Sequence, residues 1–245
     1  IQRLGAQQVI LLGGELALSG ELEAQLDGFS VRRLAGSNRF HTAALIAEEV
    51  LETSGSRRAV LTNGLDFPDA LSVGPAAARD GSPVFFTRQD QLSVTTLEAL
   101  EELGIETVTI IGGELAVGES VEKALEEAGF SVDRIDGRNR YATAVEVARA
   151  SFTDPEYAVI ASGQDFPDAL AAGPLAAGLD APLLLVHKDR VIQDVLDYLQ
   201  EKNIRKVLIL GGPVVIDDSV LEIIEKAITP SEETVAMYRA VLKAA

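Results

Sequence analysis

The sequence predicts an α/β protein built from tandem copies of one unit of about 100 residues. Residues 66–71 (Asp-Phe-Pro-Asp-Ala-Leu) return unchanged as residues 165–170. Gly-Gly pairs recur at the same interval, at 13–14, 112–113 and 211–212. Short apolar runs alternate with helical patterns, which is typical of parallel sheets covered by helices on both faces. The fold is therefore expected to consist of small parallel sheets, each flanked by helices.

The repeat divides the chain into four parts. Residues 1–30 match only the closing part of a copy, and residues 31–130 and 131–228 are complete copies. Residues 229–245 lie outside the repeat, and Glu232 and Glu233 near their start predict a C-terminal helical extension.

Within the first complete copy, each predicted strand leads to a helix. The polar residues 36–38 after the opening strand suit a helix N-cap, and a second helix is expected to begin near Pro68. The predicted strands are 31–34, 58–62, 83–87 and 108–111, and those of the next copy include 159–162, 182–186 and 207–210.

Composition excludes several classes of function. The 245 residues are 47% apolar, enough for a substantial core, but no apolar run approaches the roughly 20 residues of a membrane span. The absence of cysteine excludes disulfides and thiolate catalysis. A net charge of −17 argues against nucleic-acid binding, although a local arginine cluster could still hold an acidic ligand.

Four motifs resemble those of the cell wall-binding repeat 2 family of Gram-positive surface proteins. They are residues 33–43 (Arg-Leu-Ala-Gly-Ser-Asn-Arg-Phe with Thr-Ala after His41), residues 64–75 around Asp-Phe-Pro-Asp-Ala-Leu, residues 83–87, and residues 110–113 (Ile-Ile-Gly-Gly). All four recur in the second complete copy in the same order. The resemblance implies units packed around a pseudo-threefold arrangement and non-covalent attachment to anionic secondary wall polymers, with any catalysis in a separate attached domain.

The resemblance also implies an apolar triplet associated with wall attachment. The family's Ile-Leu-Leu type of triplet is replaced here by Val84-Phe85-Phe86 and Leu183-Leu184-Leu185. Both triplets are also expected to be buried central strands, which is compatible with binding only if the strand end is exposed. Five arginines are concentrated at the starts of the two copies: Arg33, Arg39, Arg134, Arg138 and Arg140. Their guanidinium groups suit phosphate or carboxylate ligands. They either bind the polymer or pair with carboxylates of neighbouring units.

The repeated acids and glycines are interpreted as structural. Asp66 and Asp165 suit N-caps, with Asp69 and Asp168 as the acidic members of capping boxes, although each pair could also hold a metal or act as acid and base. Gly112, Gly113, Gly211 and Gly212 predict tight turns, because they lack the surrounding pattern of a nucleotide-binding loop.

The leading hypothesis is a non-enzymatic module that anchors a surface protein to the bacterial wall, secreted and without cofactor or metal. Its partners would be an anionic wall polymer and an attached catalytic or surface-layer domain, with no nucleic acid and no transmembrane segment. An incomplete first copy would expose apolar faces, which predicts either a longer natural chain or self-association. The alternatives are a metal-dependent hydrolase or nucleotide-binding protein using the Asp-Phe-Pro-Asp cleft, and a structural surface-layer or protein-docking array.

Overall fold

The start of the chain forms a pair of parallel strands. The protein is described here by a computed structural model, which covers residues 1–66 and 68–228, together with the backbone of 236–240. A short 3-10 turn precedes β1 (Gln8–Leu12), α1 (Gly20–Ala24) and β2 (Ser30–Leu34). The two strands form a sheet of their own.

The next eight elements form the first complete unit. They are α2 (Arg39–Ser54), β3 (Arg58–Asn63), α3 (Pro68–Asp80), β4 (Val84–Thr87), α4 (Val94–Glu102), β5 (Thr107–Ile111), α5 (Glu119–Glu127) and β6 (Ser131–Ile135). Asn38 caps α2, where its side chain accepts hydrogen bonds from the amides of Phe40 and His41. The predicted N-cap of α2 and the predicted start of α3 at Pro68 are confirmed.

The second complete unit repeats this order. Its elements are α6 (Arg140–Ser151), β7 (Tyr157–Ser162), α7 (Pro167–Gly178), β8 (Leu183–Val186), α8 (Gln193–Glu201), β9 (Lys206–Leu210), α9 (Asp218–Ile228) and β10 (Ala236–Ala240). Asn139 caps α6 as Asn38 caps α2. The predicted α/β class with small parallel sheets flanked by helices is confirmed.

Each sheet takes its last strand from the start of the following copy. The two four-stranded sheets have the orders β4-β3-β5-β6 and β8-β7-β9-β10, and every neighbouring pair is parallel. Strand β6 opens the copy predicted at residue 131, yet it pairs with β5 of the copy before it. The structural unit therefore runs from a helix such as α2 to the strand that opens the next copy.

The predicted C-terminal helix is wrong for residues 236–240. Residues 236–240 form strand β10 beside β9, where the sequence predicted a helix; the remainder of that predicted helix, 229–235 and 241–245, lies outside the described residues. Arg239 pairs with Ile209 in the same register in which Arg33 pairs with Leu11 and Arg134 with Ile110. Strand β10 thus occupies the position of a copy's opening strand.

Helix α3 joins the two complete units. It packs against β3 of its own sheet and also against α6, α7 and β8 of the following unit. Leu71 shares a buried cluster with Tyr141, Leu183 and Leu185, whereas Ala76 lies in a second cluster with Val147. The pseudo-threefold arrangement stays a prediction, because the described residues contain two complete sheets and only a two-stranded part of another.

Candidate functional site

The repeated motifs meet at the carboxyl edge of each sheet, where α/β proteins place their ligands. The Gly-Gly turn follows β5 and β9, the Asp-Phe-Pro-Asp loop follows β3 and β7, and the Gly-x-Asn-Arg loop follows β2 and β6. Asn63 connects two of these loops, since its side-chain amide donates to Ala116 O (2.7 Å) and its oxygen accepts from Leu65 N (2.8 Å).

The second acid of each Asp-Phe-Pro-Asp loop faces the backbone of a Gly-Gly turn. A β-carbon built on Gly112 would lie 2.5 Å from Asp69 Oδ2, and one built on Gly211 would lie 3.0 Å from Asp168 Oδ2. Both glycines also have a positive φ, at +107° and +125°. The prediction that these glycines form tight turns agrees with this geometry, and the adjoining carboxylates add a second reason for glycine.

The predicted capping role of the first acid is corrected for Asp165. The N-cap of α7 is Phe166 and has no side-chain capping bond, while Asp165 Oδ1 accepts from the amide of Phe166 directly after it (2.9 Å). An N-cap must instead reach an amide two or three residues further on. The residue before Pro68 lies outside the described residues, so the corresponding role of Asp66 stays a prediction.

Asp69 occupies an unusual electrostatic environment. The pKa of its carboxyl group is raised to about 6, first by burial and then by the neighbouring Asp66, while Arg140 acts in the opposite direction. Arg140 belongs to the next unit and its Nη2 lies 3.8 Å from Asp66 Oδ2. Among the described residues, no group of three or more metal-ligating side chains could hold an ion.

Two of the five arginines are structural. Arg134 donates to Gly112 O (2.7 Å), Val117 O (3.0 Å) and Glu122 Oε2 (2.6 Å), and its side chain is only 15% exposed. Arg33 makes the equivalent bonds to Gly13 O and Glu23. Glu122 and Glu23 belong to the copy that precedes each arginine, which agrees with the predicted pairing of arginines with carboxylates of a neighbouring unit. Their donors are used internally, which contradicts polymer contact through Arg33 and Arg134.

The apolar triplets lie mainly in the core. Leu183, Leu184 and Leu185 are all at most 1% exposed, and Phe85 is fully buried. Direct polymer contact through these four side chains is not supported, because α3, α6 and α7 pack against strand β8, and α2, α3 and α4 pack against strand β4, which contains Phe85. Val84 and Phe86 are half-buried and line a surface cleft.

The remaining arginines lie at the open edge of the sheets. Arg39 Nη1 donates to Gly64 O and Arg140 Nη1 donates to Gly163 O (3.0 Å), so each holds the loop after β3 or β7. Arg138 is mostly exposed and its Nη2 lies 2.9 Å from Asp194 Oδ1 of α8.

Beside Arg140, the structure adds residues that the sequence did not single out for binding. Tyr141 Oη lies 3.0 Å from His187 Nδ1, the two rings are 3.9 Å apart, and Arg190 Nη2 lies 3.3 Å from His187 Nε2. Burial lowers the pKa of His187, and the neighbouring Arg190 lowers it further. We name Arg140, Tyr141, His187 and Arg190 the second edge site.

The first complete unit has an equivalent group. Phe40 occupies the position of Tyr141 and Arg88 that of His187, with the Arg88 guanidinium 5.5 Å from the centre of the Phe40 ring. We name Arg39, Phe40 and Arg88 the first edge site. His187 has no histidine counterpart in the first copy, so comparison of identical residues alone does not pair it with Arg88.

The chain belongs to the cell wall binding domain 2 (CWB2) family, which it matches over residues 33–122 and 134–221. It is 34% identical over 191 residues to the N-acetylmuramoyl-L-alanine amidase LytC of Bacillus subtilis, covering 78% of this chain and 38% of the relative. It is also 34% identical over 197 residues to the amidase enhancer of Bacillus subtilis, covering 80% of this chain and 26% of that protein. The chain thus spans less than two-fifths of the length of either relative.

Solved structures share the fold, among them two from Clostridium difficile. Cwp8 from Clostridium difficile superposes with a TM-score of 0.78 at 28% identity, covering 92% of this chain and 39% of Cwp8. Cwp6 from the same organism gives a TM-score of 0.73 at 26% identity, covering 79% of this chain and 31% of Cwp6. The resemblance inferred from the repeated motifs is confirmed.

Proposed function

We propose that this chain is a non-catalytic wall-binding module that holds a surface protein on the bacterial wall through an anionic polymer. The family supports wall binding. The observation that carries the choice of ligand is the recurrence of one cationic and aromatic arrangement at the same sheet edge of both complete units. The first edge site places two arginines beside Phe40, and the second places two arginines and His187 beside Tyr141.

These sites suit a repetitive anionic ligand. Arg88 and Arg190 are exposed in a chain of net charge −17, so their positive charges are a local exception on an acidic surface. Guanidinium groups bind phosphate and carboxylate. The rings of Phe40 and Tyr141 are buried and support the Arg88 and His187 side chains that lie against them. Two weak sites on one chain bind a repetitive polymer more tightly than either site alone, because the second contact is intramolecular.

The hydrolase and nucleotide alternatives are not favoured. The family assignment is to a binding domain, and Asp69 and Asp168 lie against the Gly-Gly turns where a phosphate would have to approach. The proposal includes an attached domain, a location in the wall and an anionic polymer as the ligand. No helix of the described residues is long and apolar enough to cross a membrane.

Binding to wall fragments tests the proposal. Fragments that retain their secondary polymers should bind the chain, and fragments stripped of them should not. The double variant Arg88→Gln, Arg190→Gln removes one exposed cation from each edge site and should weaken binding about tenfold or more. The control Arg57→Gln, Lys123→Gln changes the net charge equally at exposed positions elsewhere. Equal binding to both kinds of fragment, or equal loss in the control, would overturn the proposal.

A further inference from the structure

His187 lies between two partners in the second edge site. Its Nδ1 is 3.0 Å from Tyr141 Oη, and its Nε2 is 3.3 Å from Nη2 of Arg190. A guanidinium group can only donate hydrogen bonds, so Nε2 accepts from Arg190 and carries no proton. The proton of the neutral imidazole is therefore on Nδ1, which donates to Tyr141 Oη. In this state Arg190 is held against an uncharged ring.

The surroundings of His187 favour this neutral state. The charged and titratable groups around the imidazole come from two elements: Arg140 and Tyr141 at the start of α6, and Asp189 and Arg190 in the loop after β8. Burial lowers the pKa of His187 below the usual value of 6.5, Arg190 and Arg140 act in the same direction, and Asp189 opposes them. Burial also raises the pKa of Tyr141, so its hydroxyl group keeps its proton while the histidine titrates.

Protonation of His187 would affect its two contacts differently. The bond from Nδ1 to Tyr141 persists, because Nδ1 is a donor in both states. Nε2 can no longer accept, and the imidazolium would place a second cation 3.3 Å from the Arg190 guanidinium. Arg190 is exposed, as is its contact with Asp189 (3.4 Å), so it can turn away while the imidazolium stays on the Tyr141 ring. The site thus gains a positive charge and a free guanidinium group together.

The first edge site lacks this arrangement. Arg88 stands at the position of His187, Phe40 at that of Tyr141, and Gln91 at that of Arg190. Arginine remains charged throughout the range in which histidine titrates. The positive charge of the first edge site is therefore constant, whereas that of the second depends on pH.

We propose that the second edge site is a pH-dependent anion site, at which protonation of His187 frees Arg190 to contact the ligand. This inference rests on the proposed function, since it takes the ligand to be an anionic polymer. A bound anion stabilises the imidazolium, so anion binding and protonation strengthen each other. Affinity should rise about threefold to tenfold as the pH falls from about 7.5 to about 5, because one unit of pKa corresponds to a factor of ten.

Binding of dextran sulfate at these two pH values tests the proposal, because sulfate esters keep their charge over this range. Asp69 titrates near pH 6 beside Arg140, so the quantity to compare is the gain in affinity on acidification in each variant. His187→Gln should lose the threefold to tenfold share of this gain. His187→Arg, which copies Arg88, should bind at the higher pH nearly as tightly as the unaltered chain does in acid. His41→Gln is the matched control, since it removes the other histidine and should keep the gain.

The imidazole signals in nuclear magnetic resonance spectra give a direct measurement. The pKa of His187 should rise when dextran sulfate is added, and it should also rise in Arg190→Gln, which removes a neighbouring cation. An equal gain on acidification in the unaltered chain and in His187→Gln, or a His187 pKa that dextran sulfate leaves unchanged, would refute the inference.

Wall fragments separate this failure from a failure of the proposed function. Fragments that retain their polymers but bind the unaltered chain and His187→Gln with the same pH dependence would contradict the inference alone. Equal binding to intact and stripped fragments would contradict the proposed function, while the dextran sulfate measurements would still decide whether His187 controls an anion site.

Discussion

The carboxylate of Asp69 lies directly against the backbone of Gly112, where a β-carbon would stand 2.5 Å from Oδ2. Asp168 and Gly211 repeat this relationship in the next unit. It ties the start of α3 to the turn after β5, so two of the repeated motifs recur together for one packing reason.

Gly112→Ala should therefore destabilise the fold by roughly 2–4 kcal/mol, from positive-φ strain and the clash with Asp69. Gly129→Ala separates the two causes, because Gly129 has a φ of +95° but a β-carbon placed on it would have no neighbour within 4 Å. That variant should lose only about 1–2 kcal/mol. Urea unfolding measures both, and equal losses would show that the contact with Asp69 contributes nothing.

Asp69 should make stability depend on pH. Its pKa is raised from 3.8 to about 6, so between these values the folded protein holds more protons on this group than the unfolded chain does. Stability should therefore fall as the pH rises through that window. Asp69→Asn should remove this dependence and stabilise the protein by roughly 1–3 kcal/mol above pH 6.

Denaturant unfolding as a function of pH checks this expectation. The difference between Asp69→Asn and the unaltered protein should shrink towards about pH 3.5, where both side chains are neutral. A difference that stays constant with pH would mean that the carboxylate is not desolvated as the structure indicates.

Arg134→Ala should cost roughly 2–4 kcal/mol of stability, because it leaves Glu122 and the carbonyls of Gly112 and Val117 without their donor. Arg138→Ala removes an exposed ion pair and should change stability by less than about 0.5 kcal/mol. Thermal unfolding compares the two. A similar loss of stability in both variants would contradict the structural role of Arg134.

Thr62→Val should stabilise the protein by about 1 kcal/mol. Thr62 is fully buried in β3, and its hydroxyl has no hydrogen-bond partner among the described residues. Thr96→Val is the matched control, since the equally buried Thr96 hydroxyl donates to Phe86 O (2.7 Å) and its loss should cost about 1 kcal/mol. In chemical denaturation, Thr62→Val should raise the free energy of unfolding and Thr96→Val should lower it. A change of the same sign in both variants would contradict the different hydrogen bonding of the two hydroxyls.

The alternation of strands and helices could be predicted from sequence because it depends on local patterns. The N-cap at Asn38 and the helix start at Pro68 are encoded within a few residues. The pairing of β6 with β5 could not be read in this way, because parallel neighbours are selected by long-range packing. Residues 236–240 show the same limit, since pairing with β9 outweighs local helix preference.

The candidate site was predictable in part. Arg39 and Arg140 were found through their repeated motif, and both lie at the sheet edge. The participation of Tyr141 and His187 depends on β8 reaching the start of α6, a contact between residues 46 positions apart. Identity between copies did not reveal it, because Tyr141 stands at the position of Phe40 and His187 at that of Arg88.

The exchange of an edge strand between successive copies has a consequence for cooperativity. A chain divided at the sequence boundary before Ser131 would lose β6 from one sheet while leaving it unpaired on the other fragment. Division in the loop between Ile135 and Arg140 would keep each sheet whole, although it would still uncover the faces that α3 and α6 share. Adjacent units are thus interlocked, so loosening one should weaken its neighbour, and the pair should melt as a single body under mechanical or thermal load.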